Sequence, residues 1–186
     1  MNVALDPLRC VLVLVDYQER LMPAIARGAE VVAEAARLAD CARALGIRVV
    51  GTEQNPAGLG PNAGAVRERC DFTLAKMHFD ACRDGLVEAL ATPGRPAPCD
   101  VVVAGCESHV CLLQTALGLL RAGLRVCVVA NACGSRFSVD HDIALERLQR
   151  SGAVLASVEM VAFEWLQTCE HERFRAVLEI LKAPRA

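Results

Sequence analysis

The sequence predicts a single three-layer α/β domain over residues 1–186, with an open six-stranded parallel sheet between helices on both faces. Three observations lead there. Short β-branched runs alternate with longer helical patterns along the chain. The strand runs are apolar throughout, as expected for strands buried on both faces. A length of 186 residues suits one well-packed domain and is short for two. Right-handed crossovers leave a closed barrel or an open doubly wound sheet, and six strands are too few for the eight-stranded barrel. In the common open order 3-2-1-4-5-6, sites lie beyond the carboxyl ends of the strands, and strands 1 and 4 flank the switch point.

The elements follow in order. CVLVLVD (10–16) reads as a buried strand, and the alanine-rich amphipathic pattern at 29–46 as a helix stopped by Gly46. IRVVGT (47–52) is a second strand and EQNPAGLGPNAG (53–64) a Gly/Pro loop. DFTLAK (71–76) is a short strand, followed by a helix near 84–91 and a surface turn, TPGRPAPC (92–99). DVVVAG (100–105) is the fourth strand, and SHVCLLQTALGLLRAG (108–123) a helix with a glycine stop. LRVCVVAN (124–131) is the fifth strand, 138–152 a helix, and AVLAS (153–157) the last strand; helices close the chain. No internal repeat or interdomain linker interrupts the pattern.

Composition narrows the function. The chain is 54% hydrophobic and 23% charged, and 20 basic against 22 acidic residues give a net charge of -2. No basic block advertises nucleic acid or an anionic membrane, so neither is expected as a partner. The start MNVALDPLRC has neither the basic nor the apolar region of a signal peptide, and the expected location is cytoplasmic. In that setting the ten cysteines do not form a disulfide frame; Cys10, Cys41 and Cys127 sit in strand or helix patterns as small apolar residues. No cysteine or histidine pair has zinc-site spacing.

Three strand ends carry chemistry-bearing residues. Asp16 ends the first strand after five aliphatic residues, where a carboxylate is costly to bury unless paired or functional; capping the following turn is the competing role. Lys76 ends the third strand, where a lysine can also snorkel to solvent. The fourth strand runs into GCESHVC (105–111). With Ser108 as N-cap, Cys111 falls in the first helical turn, where free N–H groups and the helix dipole favour a thiolate. Cys106 lies before the turn and reads as packing. His109, a rival base, lies two residues before Cys111, a spacing that does not face it on a helix. His78, His141 and His171 show no metal-like spacing. GLGPNAG (58–64) lacks the GK[ST] of a phosphate loop and the dinucleotide pattern.

VLVLVDYQ, TEQNPAGLGP, AKMHFDAC and GCESHVCLLQTALGLLRAGLRVCVVANACGSR together resemble the isochorismatase-like cysteine hydrolases, above all the small isochorismatase-domain proteins of unassigned substrate. The resemblance runs from about Cys10 to Trp165, and the 105–136 block is its most specific part. It implies a catalytic triad of Asp16, Lys76 and Cys111, and a non-proline cis peptide between Cys106 and Glu107. It also implies an oxyanion hole from the backbone N–H groups of Glu107 and Cys111, and assembly into a homo-oligomer. Gln18, Glu53 and Phe79 are candidate pocket residues for a small-molecule substrate. The nicotinamidase branch of the family carries an Asp/His metal cluster after the second strand. TEQNPAGLG has no histidine there, so neither metal nor cofactor is expected. Isochorismatase proper lacks the nucleophilic cysteine, so Cys111 points away from isochorismate. The expected activity is hydrolysis of an amide or related C–N bond through a cysteine thioester. Two alternatives stand beside it: a catalytically idle binding or scaffold protein, and a redox sensor using Cys106 and Cys111.

Overall fold

The computed structural model describes residues 4–91 and 97–184. Its elements are β1 (Cys10–Val15), α1 (Gly28–Ala44), β2 (Arg48–Gln54), α2 (Pro56–Leu59), α3 (Gly64–Arg67), β3 (Phe72–Lys76), α4 (Leu86–Ala89), β4 (Asp100–Gly105), α5 (Leu113–Arg121), β5 (Arg125–Val129), α6 (Ser138–Arg150), β6 (Val154–Ala156), α7 (Val158–Leu166) and α8 (Phe174–Lys182). All six strands are parallel, in the order β3-β2-β1-β4-β5-β6. This is the open α/β sheet that the strand–helix alternation predicts, with its switch point between β1 and β4.

Chain direction from the centre of the sheet sets the layers. The crossover from β1 to β2 carries α1, and the one from β4 to β5 runs the opposite way and carries α5. With both crossovers right-handed, the two helices cover opposite faces. Helix α1 packs against α7 and α8, while α5 packs against α6. Every residue of β1 and β4 is buried, which explains why these runs are apolar without alternation. Burying each such Val or Leu stabilises the fold by about 1.5–3 kcal/mol. The single tryptophan, Trp165, is buried on α7 and donates its indole N–H to Cys10 Sγ at 3.3 Å, tying the C-terminal helices to β1.

Register brings the strand ends level. Val15 lies opposite Thr52 on one side and Gly105 on the other, and Gln54 lies opposite Lys76. Gly105 is required by this closeness. A Cβ there would stand 2.4 Å from the Val15 carbonyl oxygen, inside contact distance with backbone that cannot move aside. The Cys106 N–H donates to that same oxygen at 2.9 Å, continuing the ladder one residue past the strand.

Departures from the sequence expectations cluster at element ends. The second strand runs to Gln54, two residues beyond 47–52, and the loop after it contains α2 and α3. The expected helix at 84–91 is a 3₁₀ turn, Ala81–Asp84, followed by the four-residue α4. The fifth strand stops at Val129, and Ala130–Ala132 form a 3₁₀ turn. The expected helix at 108–123 begins as a π-turn, Ser108–Leu112, capped by Glu107 and not by Ser108. Of the expected surface turn at 92–99, residues 92–96 lie outside the described residues and 97–99 are irregular.

Candidate active site

Asp16 follows β1 directly and adopts a left-handed backbone, φ +57°. Aspartate tolerates this region better than branched residues, and here it ends the strand. Its side chain is wholly buried. Thr52 on the neighbouring strand donates its hydroxyl to Asp16 Oδ1 at 2.6 Å. The other oxygen, Oδ2, lies 2.7 Å from Lys76 Nζ as an ion pair, yet accepts no aligned hydrogen bond among the described residues. Oδ2 therefore retains a lone pair able to take a proton. Asp16 is no turn cap, and Lys76 does not snorkel: both side chains are fully shielded from solvent.

Lys76 is held by more than Asp16. Its ammonium donates to Gln54 Oε1 at 2.7 Å and to the His78 carbonyl at 3.4 Å. Gln54 is itself fixed, donating Nε2 to the Met77 carbonyl at 2.8 Å. The Cys111 sulfur lies 4.0 Å from that same Gln54 Oε1. Cys111 feels the charges of both members of the ion pair. Asp16, Lys76 and Cys111, from the ends of β1 and β3 and the turn after β4, thus share one buried site, with Thr52 and Gln54 as its supports.

The electrostatics of Cys111 run against the expectation from helix position. Burial pushes its thiol from the ordinary 9.0 up to about 12, and the Asp16 carboxylate adds to the rise, while the Lys76 ammonium works the other way. Desolvation outweighs the partial positive charge of one helical turn. The resting group is a neutral thiol that needs a base to become a nucleophile. Cys41, Cys70, Cys82, Cys127 and Cys133 are also pushed up to about 12 by burial, so geometry and not acidity distinguishes Cys111. One consequence is measurable. The rate of Cys111 alkylation by iodoacetamide, followed on its own peptide by mass spectrometry, should rise about tenfold per pH unit between pH 7 and 9.5. A plateau beginning near neutrality would contradict a raised thiol.

The turn leading to Cys111 has a distinct backbone. The Cys106–Glu107 peptide is cis. Glu107 is 8% exposed, and its N–H finds no acceptor among the described residues. A buried backbone donor left unpaired is uncommon in folded proteins and is what an anion-binding site requires. The neighbouring Ser108 N–H, by contrast, donates to the Gly134 carbonyl at 2.8 Å. Cys106 is fully buried and packs in the core.

The three pocket candidates fare differently. Gln18 is wholly buried and both ends of its amide are engaged with backbone: Oε1 accepts from Gln54 N–H at 2.9 Å, and Nε2 donates to the Gln54 and Gly60 carbonyls at 3.0 and 2.7 Å. Glu53 accepts the Asn62 N–H at 2.8 Å. Both hold the loop after β2 in place. Phe79 is half exposed beyond β3, and its carbonyl accepts from Thr115. Nothing in the sequence alone marks Thr52, a polar residue at the expected end of the second strand, or Gln54, which falls in the expected loop but lies on the strand. Their two-residue spacing puts them on one strand face. A cleft of about 400 Å³ lies between α1 and the start of α6, lined in part by Glu34, Ser135 and His141, and it contains none of the three buried groups. Among the described residues, no group of three or more His, Cys, Asp or Glu could hold a metal ion, and no helix is long and apolar enough to cross a membrane.

Solved structures share this architecture. The MAR1 ribonuclease of Caenorhabditis elegans superposes with a TM-score of 0.89 at 28% identity, covering 99% of this chain and 95% of that one. The YcaC gene product of Escherichia coli, an octameric hydrolase of unknown specificity, gives 0.85 at 23% identity, covering 97% and 90%. In sequence, residues 10–160 match the isochorismatase domain. The chain is 37% identical to isochorismatase domain-containing protein 2A of Mus musculus over 180 residues, 96% of this chain and 85% of that protein. It is 38% identical to isochorismatase domain-containing protein 1 of Danio rerio over 182 residues, 96% of this chain but only 62% of that longer protein. The chain belongs to the isochorismatase family.

Proposed function

We propose that the protein hydrolyses a small-molecule amide or related C–N bond through a thioester on Cys111, with Asp16 as general acid–base and Lys76 as its electrostatic partner. As the substrate carbonyl carbon approaches, the neutral Cys111 thiol passes its proton to Asp16 and its sulfur bonds to carbon. The carbonyl π pair moves to oxygen, and the N–H groups of Glu107 and Cys111 stabilise the resulting oxyanion. Collapse of the tetrahedral intermediate breaks the C–N bond, and the nitrogen leaves with the proton from Asp16. Water, deprotonated by the same carboxylate, attacks the thioester and restores the thiol. Lys76 stays paired with Asp16 through the cycle and needs no proton transfer of its own.

The observation that carries this reading is the buried juxtaposition of the Asp16–Lys76 pair, the Cys111 thiol and the unpaired Glu107 N–H. A thiol raised to about 12 suits a mechanism with a dedicated base better than a preformed thiolate. Gln18 and Glu53 shape the loop beside the site, and Phe79 belongs to its rim. A cytoplasmic setting and a homo-oligomeric state belong to the same proposal.

The MAR1 relative raises cleavage of RNA as a second reading. The site offers little for a phosphodiester, because the buried Lys76 ammonium is already matched by Asp16 and the chain carries a net charge of -2. Incubation with a panel of small primary and secondary amides, and separately with single-stranded RNA, decides between them. The expected result is release of ammonia or amine from a subset of amides, with an acyl mass trapped on the Cys111 peptide after acid quench. RNA cleavage that survives full alkylation of Cys111, with no amide turned over, would replace this reading. A protein inert toward both would favour the scaffold alternative.

A further inference from the structure

The segment following β5 grips the turn that bears Cys111. Cys106 forms a β-bridge with Gly134, and the Gly134 N–H donates to the Gly105 carbonyl at 3.2 Å. Ser108 Oγ lies 2.8 Å from His141 Nδ1, and His109 Nδ1 lies 3.0 Å from Ser135 Oγ. Burial holds His141 below its ordinary value, so it serves here as a neutral partner for the serine. These links fix the residues on either side of Glu107 but not the Glu107 side chain. Among the described residues that is held by Arg136, which directs both its backbone N–H (3.1 Å) and its Nε (2.9 Å) to the same oxygen, Glu107 Oε1.

We propose that Arg136 is a positioning residue that sets the direction of the Glu107 N–H toward the reacting carbonyl. The inference rests on the thioester reading above. Two donors converging on one carboxylate oxygen hold the far end of the Glu107 side chain, while the Ser108–Gly134 bond holds the following peptide. With both fixed, rotation of the Glu107 backbone is restricted and its N–H keeps one orientation. The Arg136 side chain is 53% exposed, so this ion pair contributes little to folding stability. Donor placement, however, acts steeply on rate, since a displacement of about 1 Å costs on the order of 100-fold. The signature of Arg136 is therefore a large effect on oxyanion chemistry with a small effect on the fold.

The test compares two reactions of the same thiol in the full chain. Acetylation by p-nitrophenyl acetate passes through a tetrahedral oxyanion, whereas alkylation by iodoacetamide displaces iodide without one. Both are followed on the Cys111 peptide by mass spectrometry. Arg136→Ala should slow acetylation by about 10- to 100-fold and leave alkylation within about twofold. Arg136→Lys, which differs from Arg136→Ala in keeping a cationic side-chain donor, should recover part of the loss, as should added guanidinium ion with Arg136→Ala. Equal slowing of both reactions would mean general loss of structure and overturn the role, and so would no change in either. Wild-type protein that alkylates at Cys111 but is never acetylated there would reject the thioester reading itself, and the role of Arg136 with it.

Discussion

Replacing Cys111 with alanine is expected to reduce amide hydrolysis by at least about 10⁴-fold and to eliminate the acyl adduct, while the protein keeps its fold. The size follows from what is removed. A nucleophile lost from a mechanism built around it leaves only binding and oxyanion stabilisation, a residual of about 10³–10⁴ over water. The fold should tolerate the change, because the contact of Cys111 Sγ with Gln54 Oε1 is long, 4.0 Å. Cys111→Ser is the sharper variant. Its hydroxyl is smaller and a weaker nucleophile in a site shaped for sulfur, so it too should fall by several orders of magnitude. Turnover that persists undiminished in Cys111→Ala would remove the thioester mechanism. The same assay on Cys106→Ala separates the two thiols, since Cys106 packs in the core and its removal should act on stability.

The second large effect concerns the ion pair, and it acts on stability as well as rate. Asp16→Asn leaves the Lys76 ammonium, shielded from solvent, without its counter-charge. Breaking a buried pair from one side typically costs about 3–5 kcal/mol, a large fraction of a domain's stability. Lys76→Met should cost a comparable amount by leaving the Asp16 carboxylate with only the Thr52 hydroxyl. The double variant, with neither charge, should be more stable than either single one, because replacing a whole buried pair with neutral groups is often neutral or better. Activity should not follow stability, and all three variants should be inactive. Urea denaturation supplies the stabilities and amide turnover the rates. If the double variant were no more stable than the singles, the two charges would not be coupled as the 2.7 Å contact implies.

Much of this was legible in the sequence, for identifiable reasons. Continuous aliphatic runs such as 11–15 and 101–104 suit the middle of a parallel sheet in an α/β chain, so the fold class followed, while the strand order was the common one for such sheets and is the one observed. Asp16 and Lys76 stood out as charged groups ending strands, Cys111 by its place in the first turn after the fourth, and the family resemblance joined the three. What stayed hidden depends on tertiary surroundings. No local pattern tells that Glu53 and Gln18 brace a loop, since their partners, Asn62 and Gly60, are set by how that loop folds back. The grip of Gly134–His141 on the catalytic turn joins segments some thirty residues apart. The raised thiol of Cys111 is not legible in the sequence, because helix position is local whereas the burial that pushes the thiol up is set by the whole fold.

The sealed Asp16–Lys76 pair bears on how the site meets its substrate. Two opposite charges 2.7 Å apart project a dipole rather than a net charge, and a dipole's field decays faster with distance than that of a lone ion. Such a pair gives an incoming molecule little long-range guidance. On the proposed reading, encounter then relies on ordinary diffusion, and the Asp16 carboxylate is felt only at short range. Substrates selected this way need carry no charge of their own.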